Sequence, residues 1–138
     1  MRTRLILTLV CALIFTVASA VTLAASQSQD SFWTKFKTAV IGGDKETIAL
    51  LSQFPIDMPY GVPSVRTKAQ LIKRYRQVFN GEANATKCFA GARPESDPAR
   101  PREFTVACDN GSGEKVIIYR FVLTKTGWRF KGLDNINE

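Results

Sequence analysis

The spacing of apolar residues in this 138-residue chain changes its period once, near residue 82. Apolar residues recur at helical spacing before that point and alternate with polar residues after it. Helical segments followed by alternating segments predict an α+β domain whose helices pack on one face of a sheet. We therefore expect three N-terminal helices packed on a curved antiparallel sheet of three to four strands.

Three stretches before residue 82 have the apolar stripe and the end signals of helices. The first can be capped by Asp30 or Ser31. The predicted helices cover 32–40, ended by Gly42-Gly43; 45–54, capped by Asp44 and ended by Pro55; and 68–80, begun by the capping box Thr67-Lys68-Ala69-Gln70. Between the second and third helices, prolines and a glycine predict a loop, with a short edge strand over 56–60.

Four stretches after residue 82 predict strands, and Asp109 to Gly113 predicts a tight turn between two of them. The predicted strands cover 87–89, 103–108, 115–124 and 128–133. The longest is apolar on both faces, and Arg120 alone interrupts its second face. A strand that is apolar on both sides needs a cover on both sides. We expect the helices on one side and a second copy of the chain, forming a homodimer, on the other.

The first 25 residues have the layout of a secretory signal peptide. Arg2 and Arg4 precede an uncharged run over 5–25, and small residues offer cleavage after Ala20 or Ala25. Residues 26–138 then form one domain in the periplasm or outside the cell. The alternative is an uncleaved inner-membrane anchor, since about 20 apolar residues suffice to span a bilayer.

The chain is basic, and its expected compartment decides what that implies. The net charge of +7 falls to +5 without the leader, which holds two arginines and no acid. Outside the cell we expect no nucleic acid but an anionic envelope surface or an acidic protein as partner. The candidate basic surface consists of Arg66, Lys68, Lys73, Arg74, Arg93, Arg100 and Arg102. The alternative is that these residues only keep the protein soluble.

Two cysteines, Cys88 and Cys108, remain after the leader takes Cys11 with it. In an oxidising compartment they predict one disulfide, with two free thiols as the alternative. We expect no metal site, because two thiolates have no histidine to join them.

Several of these features occur together in one family. In four features the chain resembles the nuclear transport factor 2-like superfamily, a cystatin-like α+β cone. These features are a helix over 32–40, a second helix after Gly42-Gly43-Asp44, a third helix over 67–79 and a final Gly127-Trp128-Arg129-Phe130 strand. Gly43-Asp44-Lys45 followed by Phe54-Pro55 resembles its small exported bacterial members of unassigned activity. The superfamily includes isomerases, dehydratases, epoxide hydrolases, adaptors and scaffolds, so the resemblance implies a fold and no single function.

The chain contains no histidine, which removes the side chain best suited to proton transfer near neutral pH. Of the sites that the resemblance implies, a His-Asp pair is therefore excluded. A carboxylate and tyrosine pocket would have to come from Asp57, Tyr60, Tyr75 and Tyr119. We identify no catalytic residue and expect no cofactor.

Aromatic residues form the other candidate site, with two interpretations. They either fill an ordinary core or line an apolar pocket at the open end of a cone. The set is Trp33, Phe36, Tyr75, Phe79, Phe104, Tyr119, Phe121 and Trp128.

The favoured function is an exported, non-enzymatic domain that binds a protein partner or a small apolar ligand, for example an immunity or inhibitor protein. The alternatives are an isomerase or hydrolase with a carboxylate and tyrosine pocket, and an envelope-surface protein held by its basic charge.

Overall fold

The computed structural model describes residues 27–58 and 64–136, with the backbone alone for 115 and 116. The predicted signal peptide and the Tyr60 end of the predicted edge strand lie outside these residues. Within them, no helix combines the length and the apolar character needed to cross a membrane. The described elements are α1 (Gln29–Gly42), α2 (Lys45–Leu50), β1 (Ser52–Asp57), α3 (Lys68–Asn80), α4 (Ala85–Gly91), β2 (Glu103–Asp109), β3 (Lys115–Thr124) and β4 (Gly127–Asn135).

The strands form one mixed sheet in the order β1-β4-β3-β2. β2, β3 and β4 pair antiparallel, as the alternating segments predict. β1 pairs with β4 in parallel, so the expectation of a purely antiparallel sheet is wrong. The α+β class is confirmed, but the three expected helices precede a fourth, and a strand lies between the second and the third.

Capping decides where the first and third helices begin. α1 starts three residues before its predicted stripe because the Ser28 side chain accepts a hydrogen bond from the Ser31 amide; neither Asp30 nor Ser31 is the cap. Thr67 is confirmed as the N-cap of α3, since the Gln70 amide N–H donates to Thr67 Oγ1 at 3.2 Å. The return bond of the predicted capping box differs, because the Gln70 side chain accepts from the Arg66 amide, at 2.7 Å, instead of from the Thr67 amide.

β1 replaces the predicted end of the second helix. α2 ends at Leu50, and Phe54 and Pro55 belong to the strand. Strand pairing accounts for the difference, because the Phe130 amide donates to the Leu51 carbonyl at 2.9 Å. A proline, which lacks an N–H, is tolerated in such an edge strand.

α4 replaces the predicted strand over 87–89. The Asn84 side chain caps it by accepting from the Lys87 amide at 3.0 Å. Ala85 and Phe89, four residues apart, are both fully buried on one side of this helix. An alternation over three residues is too short to distinguish a strand from a helical turn.

The core lies between the helices and one face of the sheet, and aromatic rings dominate it. Phe121 of β3 lies at its centre, with ring centroids 4.6 Å from Phe104 and 5.0 Å from Phe36. Phe79 of α3 stacks on Tyr119 at 5.9 Å, and Phe89 of α4 meets the same tyrosine edge-on at 5.0 Å. Each such pair adds about 0.5–1.5 kcal/mol beyond area burial.

The predicted pairing of Cys88 with Cys108 is confirmed, and it joins α4 to β2 across 20 residues of sequence. We expect the double variant Cys88→Ala/Cys108→Ala to lose about 3 kcal/mol of unfolding free energy, because the unfolded chain regains the entropy of an open loop. Urea unfolding under oxidising conditions measures this. Reductant should destabilise the wild type by a similar amount and leave the variant unchanged. A loss below about 1 kcal/mol would contradict the prediction.

Candidate functional site: the outer face of the sheet

The side chains that point away from the helices form a second surface, which we call the outer face. In β2, β3 and β4 fully buried residues alternate with half-buried ones, and the half-buried set lies on this face. Its members are Gln53, Pro55 and Asp57 of β1; Glu103, Thr105 and Ala107 of β2; Ile118, Arg120 and Val122 of β3; and Arg129, Lys131 and Asp134 of β4. Within the described chain, the ring contacts from helices to strands all go to the opposite face.

Arg120 lies at the centre of the outer face and connects three strands. Its Nη2 donates to Asp57 Oδ2 at 3.1 Å, across the width of β4. Its Nε lies 4.0 Å from Asp134 Oδ2. Lys131 Nζ donates to the Pro55 carbonyl at 2.6 Å and lies 3.8 Å from Asp57 Oδ2. Two cations and two carboxylates therefore form one network, which we call the Arg120 network.

Gly132 makes this crossing possible. It lies opposite Arg120 in the β3–β4 register, beside an irregularity in the pairing between Arg120 and Phe121. A Cβ atom at this position would lie 2.9 Å from Arg120 Nη2 and 3.1 Å from the Asp57 carbonyl. The absent side chain is thus the space through which the guanidinium reaches β1.

The Arg120 network is only partly shielded from water. The Arg120 side chain is 25 % exposed and that of Asp57 is 45 % exposed. Ion pairs in such positions contribute roughly 0.2–1 kcal/mol each, so they do not account for the stability of the sheet. What they provide is a charged, hydrogen-bonded centre flanked by the half-buried apolar residues Ile118 and Val122.

The structure separates the residues considered for a carboxylate and tyrosine pocket. Asp57 lies on the outer face, while Tyr75 and Tyr119 are buried in the core on the other side; Tyr60 lies outside the described residues. The Tyr75 hydroxyl donates to the Val40 carbonyl at 2.8 Å. Burial raises the pKa of Tyr75 and that of Tyr119 above the usual tyrosine value.

The eight aromatic residues named from the sequence are brought together. All belong to the core cluster, and each makes ring contacts with other members of the core. These are the contacts that the packed-core interpretation expects. A groove of about 930 Å³ lies beside the disulfide, but the described residues that line it are mainly glycines, alanines and asparagines.

Several of the candidate basic residues have partners in their own neighbourhoods. Lys68 pairs with Glu46 of α2, Arg100 Nε lies 3.2 Å from Asp97 Oδ2, and Arg102 donates to a backbone carbonyl of β3 at 3.0 Å. The other members, which are exposed or half-buried, are Arg66, Lys73, Arg74 and Arg93. The first three therefore contribute to local contacts as well as to the net charge.

The turn over 109–113 uses its side-chain oxygens on its own backbone. Asp109 Oδ1 accepts from the Gly111 amide, and Asn110 Oδ1 accepts from the Ser112 amide at 3.0 Å. Among the described residues no three His, Cys, Asp or Glu side chains lie close enough to hold a metal ion.

Sequence reasoning identified Arg120 and Asp57 separately but missed Lys131, Gly132 and Asp134. These residues come together through the register of β1, β3 and β4, which cannot be read from the sequence. No protein-family model matches this chain, and no curated protein matches it.

We expect Gly132→Ala to lower the unfolding free energy by about 1–3 kcal/mol, because the new methyl group overpacks the space between Arg120 and the Asp57 backbone. The matched control is Gly42→Ala at the end of α1, where nothing lies within 4 Å of the new atom. That control should be unchanged or up to about 1 kcal/mol more stable. Urea unfolding compares the two, and equal effects would contradict this account of Gly132.

We expect the unfolding free energy to fall as the pH rises above about 10. Burial raises the pKa of Tyr119 in the folded chain, so the unfolded chain loses this proton first and is favoured by alkali. Urea unfolding of the wild type and of Tyr119→Phe at several alkaline pH values isolates the contribution of this hydroxyl. The variant should show a shallower loss; parallel curves would contradict the prediction.

Proposed function

We propose that this chain is an exported, non-enzymatic binding domain and that the outer face of its sheet is its binding surface. The occupant we propose is a second copy of the chain. The observation that carries the proposal is the Arg120 network, a charged centre between half-buried Ile118 and Val122 on the central strands. Interface centres are typically rich in arginine and in apolar contacts.

The charge of the outer face supports a second copy as the occupant. Arg120 and Lys131 are balanced there by Asp57 and Asp134, although the chain as a whole is basic. Two basic chains repel each other over most of their surfaces, and this repulsion is weakest where both signs are present. A two-fold axis brings the same patch of each copy together, so a patch that carries both signs can complement itself.

The alternatives require either a different partner on the outer face or a site elsewhere in the chain. An inhibitor or immunity protein would place a different protein on the outer face. A small apolar ligand would need a cavity that opens into the aromatic cluster. For an isomerase or hydrolase, the separation of Asp57 from Tyr75 across the sheet argues against a shared catalytic pocket.

The order of the helices and of β2 to β4 is also compatible with the proposed membership of the nuclear transport factor 2-like superfamily.

Sedimentation velocity across the micromolar concentration range tests the proposal. We expect a concentration-dependent monomer–dimer equilibrium for residues 26–138. Arg120→Glu should weaken the dimer about tenfold or more, because like charges placed together at an interface cost several kcal/mol. Val122→Lys, which leaves the Arg120 network intact, should weaken it as well.

The matched control is Arg76→Glu, which makes the same charge change at an exposed position of α3, on the helical side of the sheet. It should leave the equilibrium near that of the wild type. Circular dichroism of each variant shows whether the fold is kept. A wild-type protein that stays monomeric at every concentration would exclude the second copy, and equal effects of Arg76→Glu and Arg120→Glu would exclude the outer face.

A further inference from the structure

A cavity of about 450 Å³ lies where the hairpin between β3 and β4 meets the start of β1. It lies at the end of the outer face, away from the Arg120 network. The described residues that line it are Ser52, Gln53, Phe54, Thr124, Lys125, Thr126 and Arg129.

The charges around this hairpin cavity are all of one sign. Both charged residues in its described lining, Lys125 and Arg129, are cations. Elsewhere on the chain Lys68, Arg100 and Arg120 each pair with a carboxylate. Among the described residues, Lys125 and Arg129 form no such pair. Within the part of the chain that the structure describes, their charge therefore has no carboxylate partner, beside a space large enough for a small ligand.

The Arg129 guanidinium is held in place by the hairpin. Its Nη1 donates to the Trp128 carbonyl at 2.6 Å and its Nη2 donates to Thr126 Oγ1 at 3.3 Å. The guanidinium folds back beside Gly127, whose φ of 103° turns the chain. These bonds use two of the five N–H groups of a guanidinium, and within the described chain the other three have no protein acceptor.

The threonine hydroxyls fix the wall of the hairpin cavity. Thr124 Oγ1 donates to the Gly127 carbonyl at 2.8 Å and lies 3.2 Å from Thr126 Oγ1. The Thr126 amide also donates to Thr124 Oγ1 at 3.2 Å. Because these bonds tie the turn to itself, the donors of Arg129 are positioned before any ligand arrives.

We propose that the hairpin cavity binds a phosphate group, carried by a soluble phosphate ester or by an anionic phospholipid headgroup. Arg129 offers the planar donors that phosphate oxygens accept, and Lys125 adds a second positive charge. The Gln53 amide lies on the β1 side of the cavity, and the half-buried Phe54 ring offers an apolar contact for the organic part of the ligand. This assignment goes beyond the outer-face proposal and does not depend on it.

Isothermal titration of residues 26–138 with inorganic phosphate and with glycerol phosphate tests this site, at an ionic strength that screens long-range attraction. Arg129→Gln and Lys125→Gln should each weaken binding about tenfold or more, since hydrogen bonds to charged groups are the strong ones. The control Arg93→Gln removes the same charge from an exposed position and should bind like the wild type.

Co-sedimentation with vesicles distinguishes the two sources of phosphate. Binding to phosphatidylglycerol vesicles but not to phosphatidylcholine vesicles, lost in Arg129→Gln and kept in Arg93→Gln, would assign the headgroup. Saturable binding of glycerol phosphate with the same dependence would assign the soluble ester. The proposal is overturned if neither glycerol phosphate nor phosphatidylglycerol vesicles bind the protein, or if Arg93→Gln weakens binding as much as Arg129→Gln does.

Discussion

The antiparallel register of β3 on β4 is the constraint on which both faces of the sheet depend. Phe121 lies opposite Phe130, which turns both rings toward the helices, and the irregularity beside this pair brings Arg120 opposite Gly132. Side chains alternate along a strand, so a slip of one residue would expose the rings and bury the guanidinium. The pairing that buries the aromatic core therefore also places Arg120 over the one residue of β4 that leaves it room.

Sequence patterns predicted the elements that are long enough to show a clear period. They missed the short elements, whose conformation depends on contacts with other parts of the chain. α1 and α3 extend over several turns with capping residues at their starts, and β3 extends over ten residues, of which buried and half-buried ones alternate from Ile117 to Val122. β1 and α4 are short, and neither has enough residues to establish a period. β1 forms because Leu51 and Ile56 find backbone partners in β4 and at Val65, far away in sequence. The strand propensity of the residues in β1 does not indicate a partner that is distant in sequence.

The same difference separates the predictable part of the site from the rest. The aromatic residues could be assigned to one cluster because each lies on the apolar side of its own helix or strand. Arg120 could be recognised as an interruption, but its partners could not, because Asp57 reaches it only through the parallel addition of β1. The role of Gly132 could not be predicted from the sequence, because it consists of the space that the missing side chain leaves for Arg120.

The two proposed sites differ in whether carboxylates compensate their cations, and this difference lets both sites lie on one sheet. At the centre, carboxylates from neighbouring strands compensate Arg120 and Lys131, so a second basic chain could approach without strong repulsion. At the hairpin, no carboxylate of residues 27–58 or 64–136 pairs with Lys125 or Arg129. Charges exposed to water act over about 10 Å at 0.1 M salt, so the field at the hairpin is local. A phosphate bound there would therefore compensate Lys125 and Arg129 without altering the ion pairs at the centre of the outer face.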